Sequence, residues 1–281
     1  MAERAGLDGP ATATADVWWA RRQDASPRLA HLLDEAEQSR HARYRRQQDQ
    51  DRFLVGCALA KTVLAGYEGP DRDPASIRFD RTCPQCGRPH GKPRAAASDL
   101  QHSVSHSGDL VAVAVAHDPV GIDVEQSDAR RHDPDALARL VFSGAERAVL
   151  ATADPSTRAR DFLVAWTRKE AVTKATGDGL RVAFSQVVVA ADAGPPRVVS
   201  WPYPQPPDSV SLLDLDPAPG YVAALAVIGP CRAVRARDGS ALLAELHPRK
   251  HPTSTAAPPP RCVAWLAEAP DAYRLVRDVP D

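Results

Sequence analysis

The sequence predicts a structure of mixed helices and strands, and three observations carry this prediction. Two helical patterns run from about residue 29 to 64 and from 157 to 176. Short apolar runs separated by turn residues predict strands in most of the remaining chain up to residue 228. The composition, with 43% hydrophobic and 25% charged residues, is that of an ordinary globular protein with a sizeable core.

In the first part of the chain, an apolar run around residues 16–19 predicts a strand. The helical pattern that begins at residue 29 has apolar positions early and late, and Gly66 ends it. The basic, polar stretch in its middle favours a solvated helix face over a dock for a phosphate-rich ligand. Further strands are predicted at 102–105 and 110–117.

The second part begins with a predicted strand at 120–125. Ser143 and Glu146 form a capping-box sequence that opens a short helix, and Gly177 is placed to end the helix over 157–176. From residue 231 onwards, a short amphipathic piece and a proline-rich run are typical of a partly ordered appendage. The remaining strands are predicted at 182–189, 198–201, 210–215 and 221–228.

Charge and composition exclude several functional classes. Lys+Arg 35 and Asp+Glu 36 give a formal net charge of -1, which excludes a domain-wide basic field for nucleic acid. No apolar run approaches the length of about 18 residues that a membrane span needs. The first residues lack the apolar core of a secretory signal, and the five cysteines are an odd number, so we expect a cytoplasmic protein.

The use of basic residues is uneven, since arginine supplies most of them. A lysine retained in such a chain can mark a place where a compact ammonium is preferred to a planar guanidinium. The five lysines are Lys61, Lys92, Lys169, Lys174 and Lys250.

Two pairs of charged residues are candidates for chemistry. Asp123 and Glu125 are two apart on a predicted strand, so both carboxylates leave the same face and suit Mg²⁺. Glu170 and Lys174 are four apart on a predicted helix and share one of its faces. Taken singly, each pair is better explained as charges that face solvent.

Two loop segments also carry candidate residues. Ser105 and His106 lie at a predicted strand end, where a histidine and hydroxyls can contact a phosphate, although an isolated histidine in a turn is more often only hydrogen-bonded within the protein. Cys83 and Cys86 with His90 resemble half of a zinc knuckle. Because no fourth ligand is evident in the sequence, a loop held by packing is the favoured interpretation.

The order and wording of these motifs together resemble the 4′-phosphopantetheinyl transferases, and in particular their larger, surfactin-synthetase-activating (Sfp-like) class. The resemblance covers about residues 28–228. It rests on Gly91-Lys92-Pro93, Ser103-Val-Ser105-His106-Ser107, Gly121-Ile-Asp123-Val-Glu125, Phe142-Ser143-x-x-Glu146 and Trp166-Thr-Arg-Lys169-Glu170-Ala-x-x-Lys174.

The resemblance implies an α+β fold of two similar α/β subdomains related by pseudo-twofold symmetry, with the site at their junction. We place the subdomains at 13–118 and 119–230, followed by an appendage of unknown role at 231–281. It implies an enzyme of the holo-[acyl-carrier-protein] synthase type, as used in polyketide or nonribosomal peptide biosynthesis. Such an enzyme transfers 4′-phosphopantetheine from coenzyme A to a serine of an apo acyl or peptidyl carrier protein and releases adenosine 3′,5′-bisphosphate.

The resemblance also assigns residues to roles. Asp123, Glu125 and Glu170 correspond to ligands of Mg²⁺, with Mn²⁺ as an alternative, and Glu170 and Lys174 to the catalytic pair. We expect Glu170 to accept the serine proton, directly or through a metal-bound water, and Lys174 to contact the pyrophosphate. The residues expected to bind coenzyme A are Arg40, Arg45, Arg52, His90, Gly91, Lys92, Ser105, His106, Asp123 and Lys174.

One departure and two alternatives accompany these assignments. Glu37 stands where family members often have a basic residue, so the contacts to the 3′-phosphate are open. A Mg²⁺-dependent phosphohydrolase acting on coenzyme A would use the same carboxylates with water as the nucleophile. A non-catalytic coenzyme A-binding module is the third interpretation, and a monomer is expected in each case.

Overall fold

The chain folds around two main sheets, each packed against one long helix. The structure is a computed structural model, and it describes residues 7–96, 98–127, 134–178, 181–191, 194–246 and 274–277. Within these residues, no helix combines the length and apolar character needed to cross a bilayer. The helices are α1 (Glu35–Arg43), α2 (Gln47–Glu68), α3 (Pro134–Val141), α4 (Gly144–Thr152), α5 (Arg158–Thr176) and α6 (Gly239–Glu245). The strands are β1 (Thr14–Arg21), β2 (Phe79–Asp80), β3 (Arg94–Ala95), β4 (Gln101–Ser107), β5 (Leu110–Ala116), β6 (Val120–Gln126), β7 (Val188–Val189), β8 (Val198–Ser200), β9 (Val210–Leu215), β10 (Tyr221–Ile228), β11 (Ala233–Asp238) and β12 (Arg274–Arg277).

The first sheet has the strand order β12-β11-β1-β5-β4. Strand β5 pairs antiparallel with both β1 and β4, whereas β11 pairs parallel with β1. Helix α2 covers this sheet because its residues from Phe53 to Ala65 are all buried, many of them alanine, valine or leucine. Their burial against β5 forms the first hydrophobic core.

The second sheet is antiparallel, with the order β6-β10-β9, and helix α5 packs on β6 and β10. Gly121 permits this packing. A Cβ at residue 121 would lie 2.0 Å from the carbonyl oxygen of Ala171 and 2.4 Å from the amide nitrogen of Ala175, both in α5. The glycine therefore sets how closely α5 approaches the strand that carries Asp123 and Glu125.

Side-chain hydroxyls join the two sheets where β4 lies beside β6. Alternate residues of β4 are serines, and because alternate residues share a face, their hydroxyls all point to β6. Each hydroxyl accepts a hydrogen bond from a backbone N–H of β6 and so takes the place of a strand carbonyl. The bonds are Ile122 N to Ser103 Oγ at 3.2 Å, Val124 N to Ser105 Oγ at 3.3 Å and Gln126 N to Ser107 Oγ at 3.1 Å.

The predicted α+β character is confirmed, and several elements match closely. The helix over 157–176 corresponds to α5, and Gly177 ends it with a left-handed φ of 81°. The capping box of α4 is present, since the Ser143 hydroxyl accepts from Glu146 N and the Glu146 carboxylate accepts from Ser143 N. The pseudo-twofold relation of the two halves stays a prediction.

Two predicted segments differ from the structure in their secondary structure, and a third, described below, differs in its place in the fold. The single helix over 29–64 is broken, because Asp34 caps α1 and the chain is extended at Tyr44 before α2 begins. Most of the predicted strand over 182–189 is absent, since Phe184–Gln186 forms a 3₁₀ turn and only Val188–Val189 is a strand.

The sequence analysis placed residues 233–245 in an appendage, whereas in the structure β11 is a strand of the first sheet and α6 packs against α2 and β1. The reason is that Val234 is buried in the core and Arg235 forms an ion pair with the buried Asp16 of β1. Residues 247–273 and 278–281 of the predicted appendage lie outside the described residues.

Candidate functional site

A cavity of about 480 Å³, called here the junction cavity, lies where β4, β6 and α5 meet. It gathers most of the residues that the sequence singled out from widely separated motifs. Eight of them line it: Arg40, Arg52, Ser105, His106, Asp123, Glu125, Glu170 and Lys174.

Asp123 is the buried centre of this site, with 4% of its surface exposed. Its Oδ1 accepts hydrogen bonds from Ser105 Oγ at 2.8 Å and from Lys174 Nζ at 2.6 Å. Its Oδ2 is also buried but has no hydrogen-bond partner among the described residues. A buried, charged oxygen left without a partner is costly, so this atom is available to bind a cation.

The other two carboxylates are close enough to interact with Asp123. Ser107 Oγ donates to Glu125 Oε2 at 2.7 Å. Burial raises the pKa of Glu170; the ammonium of Lys174 opposes this, while the negative charges of Asp123 and Glu125 raise the pKa further. Three carboxylates around one cavity, with one buried oxygen unpaired, form a donor set that suits a hard divalent ion such as Mg²⁺.

Lys174 is the cation that the structure places among these acids. It lies one turn after Glu170 on α5, and its ammonium donates to Ser105 Oγ at 3.1 Å as well as to Asp123. Its side chain keeps 29% of its surface exposed, so it is anchored but still faces the cavity. The Glu170 and Lys174 pair therefore lines the junction cavity and is not a solvated pair on a helix surface.

The basic residues of the cavity wall include one that the sequence analysis missed. Arg52 donates to the Gly108 carbonyl at 2.7 Å and to Asp49 at 2.6 Å, which holds it at the wall beside Arg40. The missed residue is Arg81, which also lines the cavity. Burial is the main cause that lowers the pKa of Arg81, and the nearby positive charge of Arg40 lowers it further. Arg81 lies in a loop without periodicity, so no sequence pattern marked it. Arg45 is exposed between α1 and α2 and is not brought to the described cavity wall.

A second cavity of about 590 Å³ adjoins the first and shares Lys174 and Arg81 with it. His90, Gly91 and Lys92 line this second cavity. The ammonium of Lys92 donates to the carbonyls of Val120 at 2.8 Å and Ala175 at 3.2 Å, so it ties the first half of the chain to the second. Burial lowers the pKa of Lys92 to about 8.

Glu37, the departure from the family pattern, has a structural role. Its carboxylate accepts from the backbone N–H of Asp34 at 2.9 Å and from the buried Lys61 at 2.6 Å. Lys169 of the motif on α5 is likewise buried, and it pairs with Glu146 at 2.7 Å. These two lysines lie in buried ion pairs and line neither of the two cavities.

Comparisons with known proteins agree with this geometry. Residues 17–118 match a family described as 4′-phosphopantetheinyl transferase, N-terminal, and residues 119–226 match the 4′-phosphopantetheinyl transferase superfamily. The 4′-phosphopantetheinyl transferase HetI of Nostoc sp. is 31% identical over 202 residues, which cover 72% of this chain and 81% of HetI. The 4′-phosphopantetheinyl transferase Sfp of Bacillus subtilis is 24% identical over 209 residues, which cover 74% of this chain and 88% of Sfp. A solved holo-[acyl-carrier-protein] synthase of Thermotoga maritima shows a partial likeness, with a TM-score of 0.30, 25% identity and coverage of 40% of this chain and 62% of its own.

Proposed function

Since the chain belongs to the 4′-phosphopantetheinyl transferase superfamily, we propose that it transfers 4′-phosphopantetheine from coenzyme A to a serine of an apo acyl or peptidyl carrier protein. The reaction is Mg²⁺-dependent and releases adenosine 3′,5′-bisphosphate. We assign the enzyme to the larger, Sfp-like class, acting as a cytoplasmic monomer whose two related halves span 13–118 and 119–230.

One observation carries the proposal: the buried Asp123 pairs through one oxygen with Lys174, and its other oxygen, beside Glu125 and Glu170, has no hydrogen-bond partner in the part of the chain that the structure describes. Asp123, Glu125 and Glu170 would hold the metal ion. When bound, the ion would neutralise charge on the oxygens of the pyrophosphate.

Glu170 is the proposed proton acceptor for the carrier serine. A serine hydroxyl is a weak nucleophile until a base accepts its proton, and Glu170 on the cavity wall would accept it directly or through a water molecule, the second route being favoured because coordination to Mg²⁺ would lower the basicity of the carboxylate itself. The serine oxygen then forms a bond to the phosphorus that carries pantetheine. The bridging P–O bond breaks, and its electron pair stays with the phosphate of adenosine 3′,5′-bisphosphate.

Lys174 is the proposed stabiliser of the leaving group, because its ammonium faces the cavity one turn from Glu170. Positioned positive charge is what phosphoryl transfer requires most. Arg40, Arg52 and His106 on the same wall would bind further phosphate oxygens of the coenzyme, while Gly91 and Lys92 would face its nucleotide end.

The test is to incubate the protein with coenzyme A, Mg²⁺ and an apo carrier domain and to weigh the carrier by mass spectrometry. We expect the gain of one phosphopantetheine group, lost on addition of a chelator. Glu170→Gln should abolish the transfer while the protein stays folded, whereas Glu245→Gln, an exposed change on α6, should not affect it. Release of adenosine 3′,5′-bisphosphate without any change in the carrier would contradict the proposal and favour hydrolysis.

A further inference from the structure

A cluster of sulfur and nitrogen atoms lies in the loop between β2 and β3, apart from the carboxylates of the junction cavity. The side chains of Cys83, Cys86 and His90 bring their ligand atoms within 4.8 Å of one another. The closest approach is 2.9 Å, between Cys86 Sγ and His90 Nε2. Cys83 is buried, whereas Cys86 and His90 are exposed, so solvent and ions can reach the cluster.

The backbone folds tightly around this cluster. The amide of Cys83 donates to the carbonyl of Arg88 at 2.8 Å, and the amide of Gly87 donates to the carbonyl of Cys83 at 2.9 Å. Gly87 has a φ of 70°, a left-handed conformation that glycine adopts without strain. The turn therefore presents both cysteines and His90 to one point, with a glycine at the position where the chain reverses.

The surroundings of Cys83 favour a thiolate. The guanidinium of Arg181 lies 3.2 Å from the sulfur. Metal-binding cysteines must be deprotonated, and such an electropositive environment lowers the cost of deprotonation.

We propose that Cys83, Cys86 and His90 bind a zinc ion. Two thiolates and one imidazole are the ligands that zinc prefers, and the spacing Cys-x₂-Cys-x₃-His matches the short loops that hold it. Among the described residues no further histidine, cysteine or carboxylate joins the cluster, so a water molecule takes the fourth position. Two thiolates balance the charge of the ion, which is compatible with Arg181 alongside.

The ion would brace one wall of the second cavity. The cluster lies between Arg81 and Lys92, which line that cavity, and the amide of Gly91 donates to the carbonyl of Arg81 at 2.7 Å. Arg181 of the second half contacts Cys83 Sγ at 3.2 Å and so connects the cluster to that half, and its ion pair with Asp178 at 2.8 Å holds the guanidinium in place. Zinc is therefore assigned a supporting role, distinct from the Mg²⁺ proposed for the reaction.

The test is the zinc content of the full-length protein, purified without chelator, dialysed and measured by elemental mass spectrometry. We expect about one zinc per chain in the wild type, because one cluster of three protein ligands binds one ion. Cys86→Ser, an exposed change that the fold should tolerate, should lose most of it. Cys231→Ser, a change at a cysteine outside the cluster, should retain it. Circular dichroism establishes that each variant is folded.

Cobalt provides a second readout that does not depend on activity. Replacing zinc by Co²⁺ should produce thiolate-to-metal charge-transfer absorption, which Cys86→Ser should weaken and His90→Ala should shift. Equal zinc content in the wild type and in Cys86→Ser would overturn the proposal. A disulfide between Cys83 and Cys86 in the protein as purified, found by mass spectrometry under non-reducing conditions, would overturn it as well.

Discussion

Lys174 Nζ lies 2.6 Å from Asp123 Oδ1, and the opposite oxygen of the same carboxylate is buried without a hydrogen-bond partner among the described residues. The ammonium thus stabilises the charge of Asp123 while leaving one oxygen able to bind a cation. Ser105 donates to the same Oδ1, so three elements, β4, β6 and α5, fix the position of this carboxylate.

We predict that Asp123→Asn lowers the rate of carrier modification roughly 100-fold or more, because the amide removes one of the three charges proposed to bind the metal ion. The rate is measured by mass spectrometry of the carrier at saturating Mg²⁺. Asp208→Asn, at an exposed aspartate, is the matched control and should leave the rate unchanged. A variant at Asp123 with wild-type activity would remove this residue from the site.

We predict that Gly121→Ala destabilises the protein by about 2 kcal/mol or more, because its Cβ would collide with the backbone of α5. The free energy of unfolding in urea measures this. Gly144→Ala, at a helix position with nothing within 4 Å of the added Cβ, is the control and should have little effect or a small stabilising one. Equal stability of the two variants would show that α5 can move away from β6 at little cost.

We predict that Lys169→Met costs about 3–5 kcal/mol of stability, because it leaves the carboxylate of Glu146 buried without its cation. The double variant Lys169→Met with Glu146→Gln should recover part of this loss, since the glutamine is neutral. Urea unfolding of both proteins measures the difference. If the single variant is as stable as the wild type, the ion pair is not what stabilises α4 against α5.

We predict that the KM for coenzyme A depends on pH through His106. Desolvation lowers the pKa of His106, and the charges of Lys174 and Arg52 lower it further. A bound phosphate favours the protonated ring, so binding raises this pKa again. Between the pKa values of the free and bound protein, KM should therefore rise as the pH rises.

His106→Ala should raise KM more than it lowers kcat and should flatten this dependence. His117→Ala, at an exposed histidine outside the two cavities, should keep the wild-type profile. An unchanged KM and slope in His106→Ala would exclude contact between His106 and a phosphate.

Several features could be predicted from the sequence because they depend on local pattern. The spacing of Glu170 and Lys174 already places both on one face of α5, and Gly177 marks where that helix ends. The alternation that puts Asp123 and Glu125 on one face of β6 is equally local. The retained lysines were also informative, since Lys61 and Lys169 are buried in ion pairs and Lys92 and Lys174 join the two halves.

Other features were decided only by the tertiary structure, because they depend on residues that are distant in sequence. The hydroxyls of β4 replace a backbone ladder to β6, and no period in either segment indicates this pairing. Arg81 reaches the cavity from a loop. Strand β11 joins the first sheet beside β1, and this pairing brings Ala233 next to Thr14, a separation along the chain of roughly the length of a whole domain.

The sequence by itself therefore determined that Asp123 and Glu125 share one face of a strand and that Glu170 and Lys174 share one face of a helix, since those placements depend on periodicities of two and about 3.6 residues. Only the tertiary structure decided which oxygen of Asp123 is paired with Lys174 and which is free. That outcome depends on how closely α5 packs on Gly121. The contact joins residues about fifty apart in the chain, and it is stabilised by the burial of apolar surface and not by any local sequence pattern.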